Sequence, residues 1–175
     1  MFTHSSIKEI LSTVIAKNQT RLRYISLHLG AFELWLQAEI AFEIHNSSQG
    51  KLFAYTHAQG VDITVENPAG ASLAAIEIKT ILNDSRFGKA FQSIEKGLHD
   101  LDGINGTKIK SCAVFVNHLD FDIDGVKRKP DLTTQVMLEK INGVAEKNGF
   151  ISEKVFFSAK ANPRQEWLLL YLCRK

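Results

Sequence analysis

The sequence predicts an α/β fold in which a mixed central sheet is flanked by helices. Three observations lead to this prediction. Apolar residues recur at helical spacing in several segments, short strand-like segments lie between them, and segment 109–116 is apolar nearly throughout. A strand of this last kind is typical of the centre of a sheet that is covered on both faces.

Helices and strands are predicted in mixed order along the chain. The segment 20–30 fits a helix or a strand and stays unassigned, and residues 67–70 form the turn of a hairpin. Helical periodicity predicts helices over 5–17, 31–45, 87–101 and 133–147, and strand patterns predict strands over 51–56, 60–66, 73–80, 109–116, 154–157 and 166–172.

Length and composition indicate one ordinary globular domain, residues 1–175, because 175 residues can bury a core and no segment resembles a linker. The longest apolar run, 167–173, is far shorter than the ~18 residues of a membrane helix, so we expect no membrane partner. The first residues lack a secretory signal pattern, and we expect a cytoplasmic protein. Cys112 and Cys173 lie in apolar segments, which favours free buried thiols.

The net charge of +2 gives no global indication of a polyanionic partner. Binding of nucleic acid would have to depend on local basic clusters, and for each cluster ordinary solvated surface charge is the alternative interpretation. The candidate clusters are Arg21 with Arg23, Lys108 with Lys110, and residues 127–129.

The residues most suggestive of chemistry are Asp62 and the tripeptide Glu77-Ile78-Lys79, on two successive strand-like segments. Strand alternation places Glu77 and Lys79 on one face and Ile78 on the other. Burying such charges is costly unless they pair with each other or hold a cation. A Glu-x-Lys match alone is expected about once by chance in this chain, so the surrounding elements must support the interpretation.

The predicted helix 31–45 precedes these strands and contains several carboxylates. Its apolar stripe passes through Phe32 and Leu36, and Glu39 falls on or beside that stripe, with Glu43 one turn later. Glu39 therefore lies at the buried side of the helix and not on its polar face.

This order of elements and acids resembles the core of the PD-(D/E)xK nuclease superfamily, which has the restriction-endonuclease-like fold, a three-layer sandwich. The resemblance extends over about residues 31–116. The proline that names the motif is absent, because Val61 precedes the first acid. The matching residues are Asp62 as first acid, Glu77 as second acid, Lys79 as the lysine and Glu39 as the helix carboxylate.

The resemblance implies a Mg²⁺-dependent nuclease, with Mn²⁺ as a substitute ion, that cleaves DNA rather than RNA. Asp62 and Glu77 supply the hard oxygen ligands that Mg²⁺ prefers, and the Ile78 carbonyl adds another. Lys79 would orient or activate the water, and Glu39 would hold a metal-bound water or a second ion. A homodimer would let so small a nuclease reach both strands of a duplex.

Simpler interpretations remain open for each residue. Asp62 can cap a turn, Glu77 and Lys79 can form an ion pair on the sheet, and Glu39 can be an ordinary surface residue. The corresponding alternative function is a nucleic-acid-binding or assembly module that keeps the fold without cleaving. His57 precedes the first acid, and we interpret it as an exposed loop residue.

Residues 120–131 nearly fit a calcium loop of the EF-hand type, with Gly125 at the sixth position. A strand instead of a helix is predicted before it, and the last ligand would be Asp131 where that loop needs Glu. These departures favour a polar loop that follows a strand, whose basic half, 127–129, is available to contact nucleic acid.

Overall fold

In a computed structural model, the described residues of the protein form one open sheet of six strands with two helices on each face. The predicted α/β class is confirmed, and the sheet is mixed. The structure describes residues 1–28, 32–58, 60–81, 87–119, 134–156 and 165–174.

Four helices and six strands are described, and the sheet has the strand order β1-β2-β3-β4-β6-β5. Strands β3 and β4 are parallel, and all the other neighbouring pairs are antiparallel. The elements are α1 (His4–His28), α2 (Phe32–Ser47), β1 (Phe53–Thr56), β2 (Ile63–Glu66), β3 (Ser72–Ile81), α3 (Phe87–Gly103), β4 (Ile109–Leu119), α4 (Thr134–Lys147), β5 (Phe150–Phe156) and β6 (Gln165–Arg174).

Each face of the sheet has its own hydrophobic core. Helices α1 and α2 bury residues such as Leu11 and Leu36 against the face that contains Ile76 and Ile78 of β3. Helices α3 and α4 cover the opposite face, where Ala75 lies. Because side chains alternate along a strand, β3 supplies even-numbered residues to the first core and odd-numbered residues to the second.

Several boundaries depart from the sequence prediction, and three of these departures occur at α1, β5 and β2. Helix α1 continues well beyond residue 17 to His28, and Leu22 is buried, so the part of segment 20–30 that the structure describes is helical. Strand β5 starts at Phe150 instead of 154, directly after Gly149, whose φ of 75° suits the turn. Strand β2 starts at Ile63 instead of residue 60.

Strand β6 lies between β4 and β5, and its residues 168–173 are buried. The apolar run near the C-terminus is therefore part of a strand in the core of the sheet. Cys112 and Cys173 are buried free thiols on β4 and β6. The calcium-like segment 120–131 and its basic cluster 127–129 lie outside the described residues.

None of the helices in the described part of the chain combines the length and the hydrophobicity needed to cross a bilayer.

Candidate metal and phosphate site

The candidate site lies where β3 extends beyond its neighbour β2. Ile63, the first residue of β2, pairs with Ile76, so the next residues of β3 have no β2 residue beside them. Asp62 is located just before β2, and its Oδ2 atom accepts a hydrogen bond from the backbone N–H of Ile78 at 2.7 Å. A side chain thus satisfies a backbone donor that the ladder would otherwise leave unpaired.

Asp62, Glu77 and Lys79 come together at this point, as the sequence predicted. The Lys79 Nζ atom donates to Glu77 Oε2 at 2.7 Å and lies 3.3 Å from Asp62 Oδ2. The side chains of Glu77, Asp62 and Lys79 are 5%, 13% and 14% exposed, respectively. The three charged groups are therefore largely removed from water, and each depends on the other two for compensation.

Helix α3 covers this cluster closely at Gly97. A Cβ atom built on Gly97 would lie 2.9 Å from Cε of Lys79 and 3.5 Å from Cγ of Glu77. Gly97 is thus the residue that lets the helix approach the charged pair. Gly97 was not among the residues predicted for the site, although its position on the apolar stripe of α3, between the buried Ile94 and Leu98, indicates a close packing contact.

Burial and neighbouring charges shift the pKa values of the pair. Burial is the main cause that raises the pKa of Glu77 to about 8; a hydrogen bond with Asp62 adds to the rise, and Lys79 opposes it. Burial lowers the pKa of Lys79, but the hydrogen bond to Glu77 and the charges of Glu77, Asp62 and Glu33 outweigh this, so the pKa is raised. The surroundings therefore disfavour the charged form of Glu77 and favour the ammonium form of Lys79.

A fourth acid, Glu33, lies beside this cluster. It is in the first turn of α2, and its Oε2 atom accepts a hydrogen bond from Thr80 Oγ1 at 3.3 Å. Burial raises the pKa of Glu33, the charge of Lys79 lowers it, and the charge of Asp62 raises it. Glu33 was not among the residues predicted for the site. Its position directly after the apolar Phe32 indicates that it lies near the buried side of α2. Choosing Glu33 over Glu39 as the helix acid, however, requires knowledge of which end of α2 meets β3.

The structure does not bring Glu39 into the cluster. Glu39 Oε2 lies 3.4 Å from Nδ2 of Asn18, at the contact between α1 and α2. The neighbouring Glu43 accepts a hydrogen bond from Lys17 of α1 at 2.7 Å. Because each residue turns a helix by ~100°, Glu39 is displaced ~240° around α2 from Glu33 and ~9 Å along its axis.

The donor atoms suit a hard cation such as Mg²⁺. Asp62 and Glu77 offer carboxylate oxygens, and Mg²⁺ binds proteins through one or two carboxylates, with waters and substrate phosphate completing its shell. The carbonyl of Ile78 leaves β3 on the same edge as its N–H. Within the described ranges no three His, Cys, Asp or Glu side chains are grouped closely enough to form a metal cage.

His57 lies next to the cluster through its backbone. Its N–H donates to the Asp62 carbonyl at 2.9 Å, its φ is 57°, and its side chain is exposed. The interpretation of His57 as an exposed loop residue is confirmed.

Comparisons with family models, with curated proteins and with solved structures found no match to this chain.

Substituting Gly97 tests the close approach of α3. Alanine favours a helix interior over glycine by ~1 kcal/mol, so Gly143→Ala in α4, where nothing lies within 4 Å of the added Cβ, should raise the free energy of unfolding. Gly97→Ala should raise the free energy of unfolding by less than Gly143→Ala does, or should lower it, because the added methyl group displaces Lys79 from Glu77. Urea unfolding of both variants checks this expectation. An equal gain in the two variants would contradict the close contact.

The raised pKa of Glu77 predicts a pH-dependent stability. Between the ordinary value of 4.5 and about 8, the native state holds a proton that the unfolded state has lost, so the free energy of unfolding falls as pH rises through this window. Glu77→Gln should flatten this dependence by at most ~1.4 kcal/mol per pH unit. The measurement is urea unfolding from pH 5 to 9, with Glu9→Gln, at an exposed residue of α1, as control. If the free energy of unfolding changed with pH in the same way in wild type and Glu77→Gln, the raised pKa of Glu77 would be refuted.

Proposed function

We propose that the protein is a Mg²⁺-dependent nuclease of the PD-(D/E)xK superfamily that hydrolyses phosphodiester bonds in DNA. The observation that supports this proposal is the convergence of Asp62, Glu77 and Lys79 on one face of the sheet. The sequence resemblance placed these three residues in the roles of first acid, second acid and lysine.

The order of the elements also supports the proposal. Helix α2 is followed by the antiparallel strands β1, β2 and β3, then by α3, then by β4 parallel to β3. This is the order of elements that the resemblance implies for the three-layer nuclease sandwich. Fold alone does not establish activity, so the proposal depends on the residues of the site.

Asp62 and Glu77 would hold the ion, with the Ile78 carbonyl as a further oxygen ligand and Glu33 in place of Glu39 as the acid from the helix. Bound Mg²⁺ would supply charge neutralisation at the scissile phosphate and a lower pKa for a bound water. Lys79 would donate hydrogen bonds to a phosphate oxygen and orient the attacking water. Glu77 would have to release its proton before it ligates an ion, since ligating carboxylates are deprotonated.

A second function, a nucleic-acid-binding or assembly module without catalysis, is favoured by one specific observation. The ammonium of Lys79 already lies within 2.7 Å of Glu77 and 3.3 Å of Asp62. Such a cluster is electrically compensated without any ion, as a structural ion-pair group would be. The two functions differ in whether a divalent ion displaces these contacts.

Asp62→Asn tests catalysis, because it removes the negative charge of the proposed metal ligand. The amide keeps a carbonyl oxygen that can accept a hydrogen bond from the Ile78 N–H. We expect metal-dependent cleavage of plasmid DNA to fall at least ~100-fold, as it should in Lys79→Met, because a ligand or a charge at the reacting phosphate is lost. Lys89→Met, at an exposed lysine of α3, is the matched control and should cleave like wild type. Binding of DNA without Mg²⁺- or Mn²⁺-dependent cleavage by wild type would favour the non-catalytic module.

Glu33→Gln and Glu39→Gln form a matched pair on α2. Glu33 is electrostatically coupled to Lys79 and Asp62, so its substitution should reduce cleavage ~10-fold or more and raise the Mg²⁺ concentration required. Glu39→Gln should change neither, because Glu39 contacts Asn18 of α1. Cleavage rates across a Mg²⁺ titration give the comparison, and a larger loss in Glu39→Gln would restore the original choice of helix acid.

A further inference from the structure

We propose that the exposed rings of Tyr55 and Phe53 bind unpaired bases by stacking, so that the site acts on nucleic acid with a single-stranded segment. This inference rests on the proposed function and specifies its substrate class. The two rings are residues of β1, the edge strand of the sheet beside the candidate site.

The register of the sheet places Tyr55 on the same face as the charged cluster. Tyr55 pairs with Thr64 of β2, and Thr64 pairs with Ala75 of β3. Residues that are directly opposite in neighbouring strands share a face, and Glu77 follows Ala75 by two residues on that face. Tyr55, Thr64, Ala75 and Glu77 therefore belong to one side of the sheet.

Tyr55 is also close to the cluster along the strands. Asp62 precedes Thr64 by two residues, and such diagonal neighbours in adjacent strands lie ~7–8 Å apart. The backbone bond from His57 N–H to the Asp62 carbonyl, 2.9 Å, shows that the two chain segments remain paired at this point. A base on Tyr55 would thus lie ~7–8 Å from Asp62, the nearer of the two acids.

The aromatic rings are exposed instead of packed in the core. Tyr55 is 46% and Phe53 39% exposed, whereas Ala54 between them packs against the core on the α2 side. The Phe53 ring lies near the ring of His45 of α2, with centroids 6.4 Å apart. Two large rings on alternate residues of an edge strand leave apolar area available for a ligand.

Aromatic faces of this kind favour single strands over duplexes. Every unpaired base has a free π-face that can stack on a tyrosine or phenylalanine ring, and such stacking tolerates any sequence. In a duplex the base faces are already stacked on each other. The rings adjoin the cluster in which the Lys79 ammonium and the proposed metal ion would hold a phosphate, so nucleic acid is the occupant that the proposed function brings to them.

The test compares the affinity of a fluorescent 20-nucleotide oligothymidine with that of a blunt duplex, by anisotropy in EDTA so that no cleavage occurs. Tyr55→Leu retains apolar area without an aromatic face, and Tyr55→Phe retains the ring. We expect Tyr55→Leu and Phe53→Leu to bind oligothymidine about ten-fold more weakly each, and Tyr55→Phe to bind like wild type. Duplex affinity should change by less than two-fold. Unfolding midpoints verify that the variants remain folded.

Three outcomes would overturn the inference. One is an unchanged affinity of Tyr55→Leu and Phe53→Leu for oligothymidine. Another is an equal loss for single strand and duplex. The third is a loss of self-association by light scattering in these variants with unchanged DNA binding, which would make the surface an interface between copies of the chain.

The experiment separates this inference from the proposed function. Ring-dependent binding of oligothymidine without metal-dependent cleavage would refute the nuclease and leave the stacking surface. Cleavage that requires Asp62 but proceeds equally with Tyr55→Leu on single-stranded and duplex DNA would establish the nuclease and refute the stacking surface.

Discussion

A buried cluster of charged side chains must stay electrically compensated. This requirement constrains the surrounding part of the structure most strongly. Asp62, Glu77 and Lys79 are largely dehydrated, and an unpaired charge in such surroundings would be strongly destabilising. Compensation comes from the ammonium, from the Ile78 N–H, and from the proton that the raised pKa of Glu77 retains near neutrality. The late start of β2 and the small size of Gly97 both follow from this requirement, because each makes room for one partner in the cluster.

The same compensation connects stability to the proposed chemistry. Under the proposed function, a divalent ion would displace the proton that the raised pKa of Glu77 favours, or would displace the Lys79 ammonium from the carboxylates. Either change would become more favourable when substrate phosphate supplies further negative charge for Lys79 to pair with. A metal site of this design would bind its ion weakly alone and more strongly together with a phosphate, whereas a purely structural cluster would bind neither.

The sequence was sufficient for the features that depend on local periodicity. Strand alternation alone placed Glu77 and Lys79 together, and helical spacing located α2 and α3. The sequence was insufficient where the neighbours of a residue depend on which end of one element meets another element. Glu39 lies near the apolar stripe of α2, as predicted, but that part of the helix faces Asn18 of α1, whereas the first turn with Glu33 meets β3. No local pattern encodes that difference.

The packing of α3 also limits the directions from which a ligand of the proposed site could approach. On the α3 side the helix comes so close to Lys79 and Glu77 that even a methyl group on Gly97 would not fit without displacement. Glu33, partly buried, borders the cluster at the first turn of α2, and the exposed rings of β1 border it across β2. A polymer that reaches the acids from the β1 side must pass Tyr55 first. Under the proposed function, the edge strand would therefore contact the substrate before the charged residues act on it, and its aromatic residues would contribute to specificity.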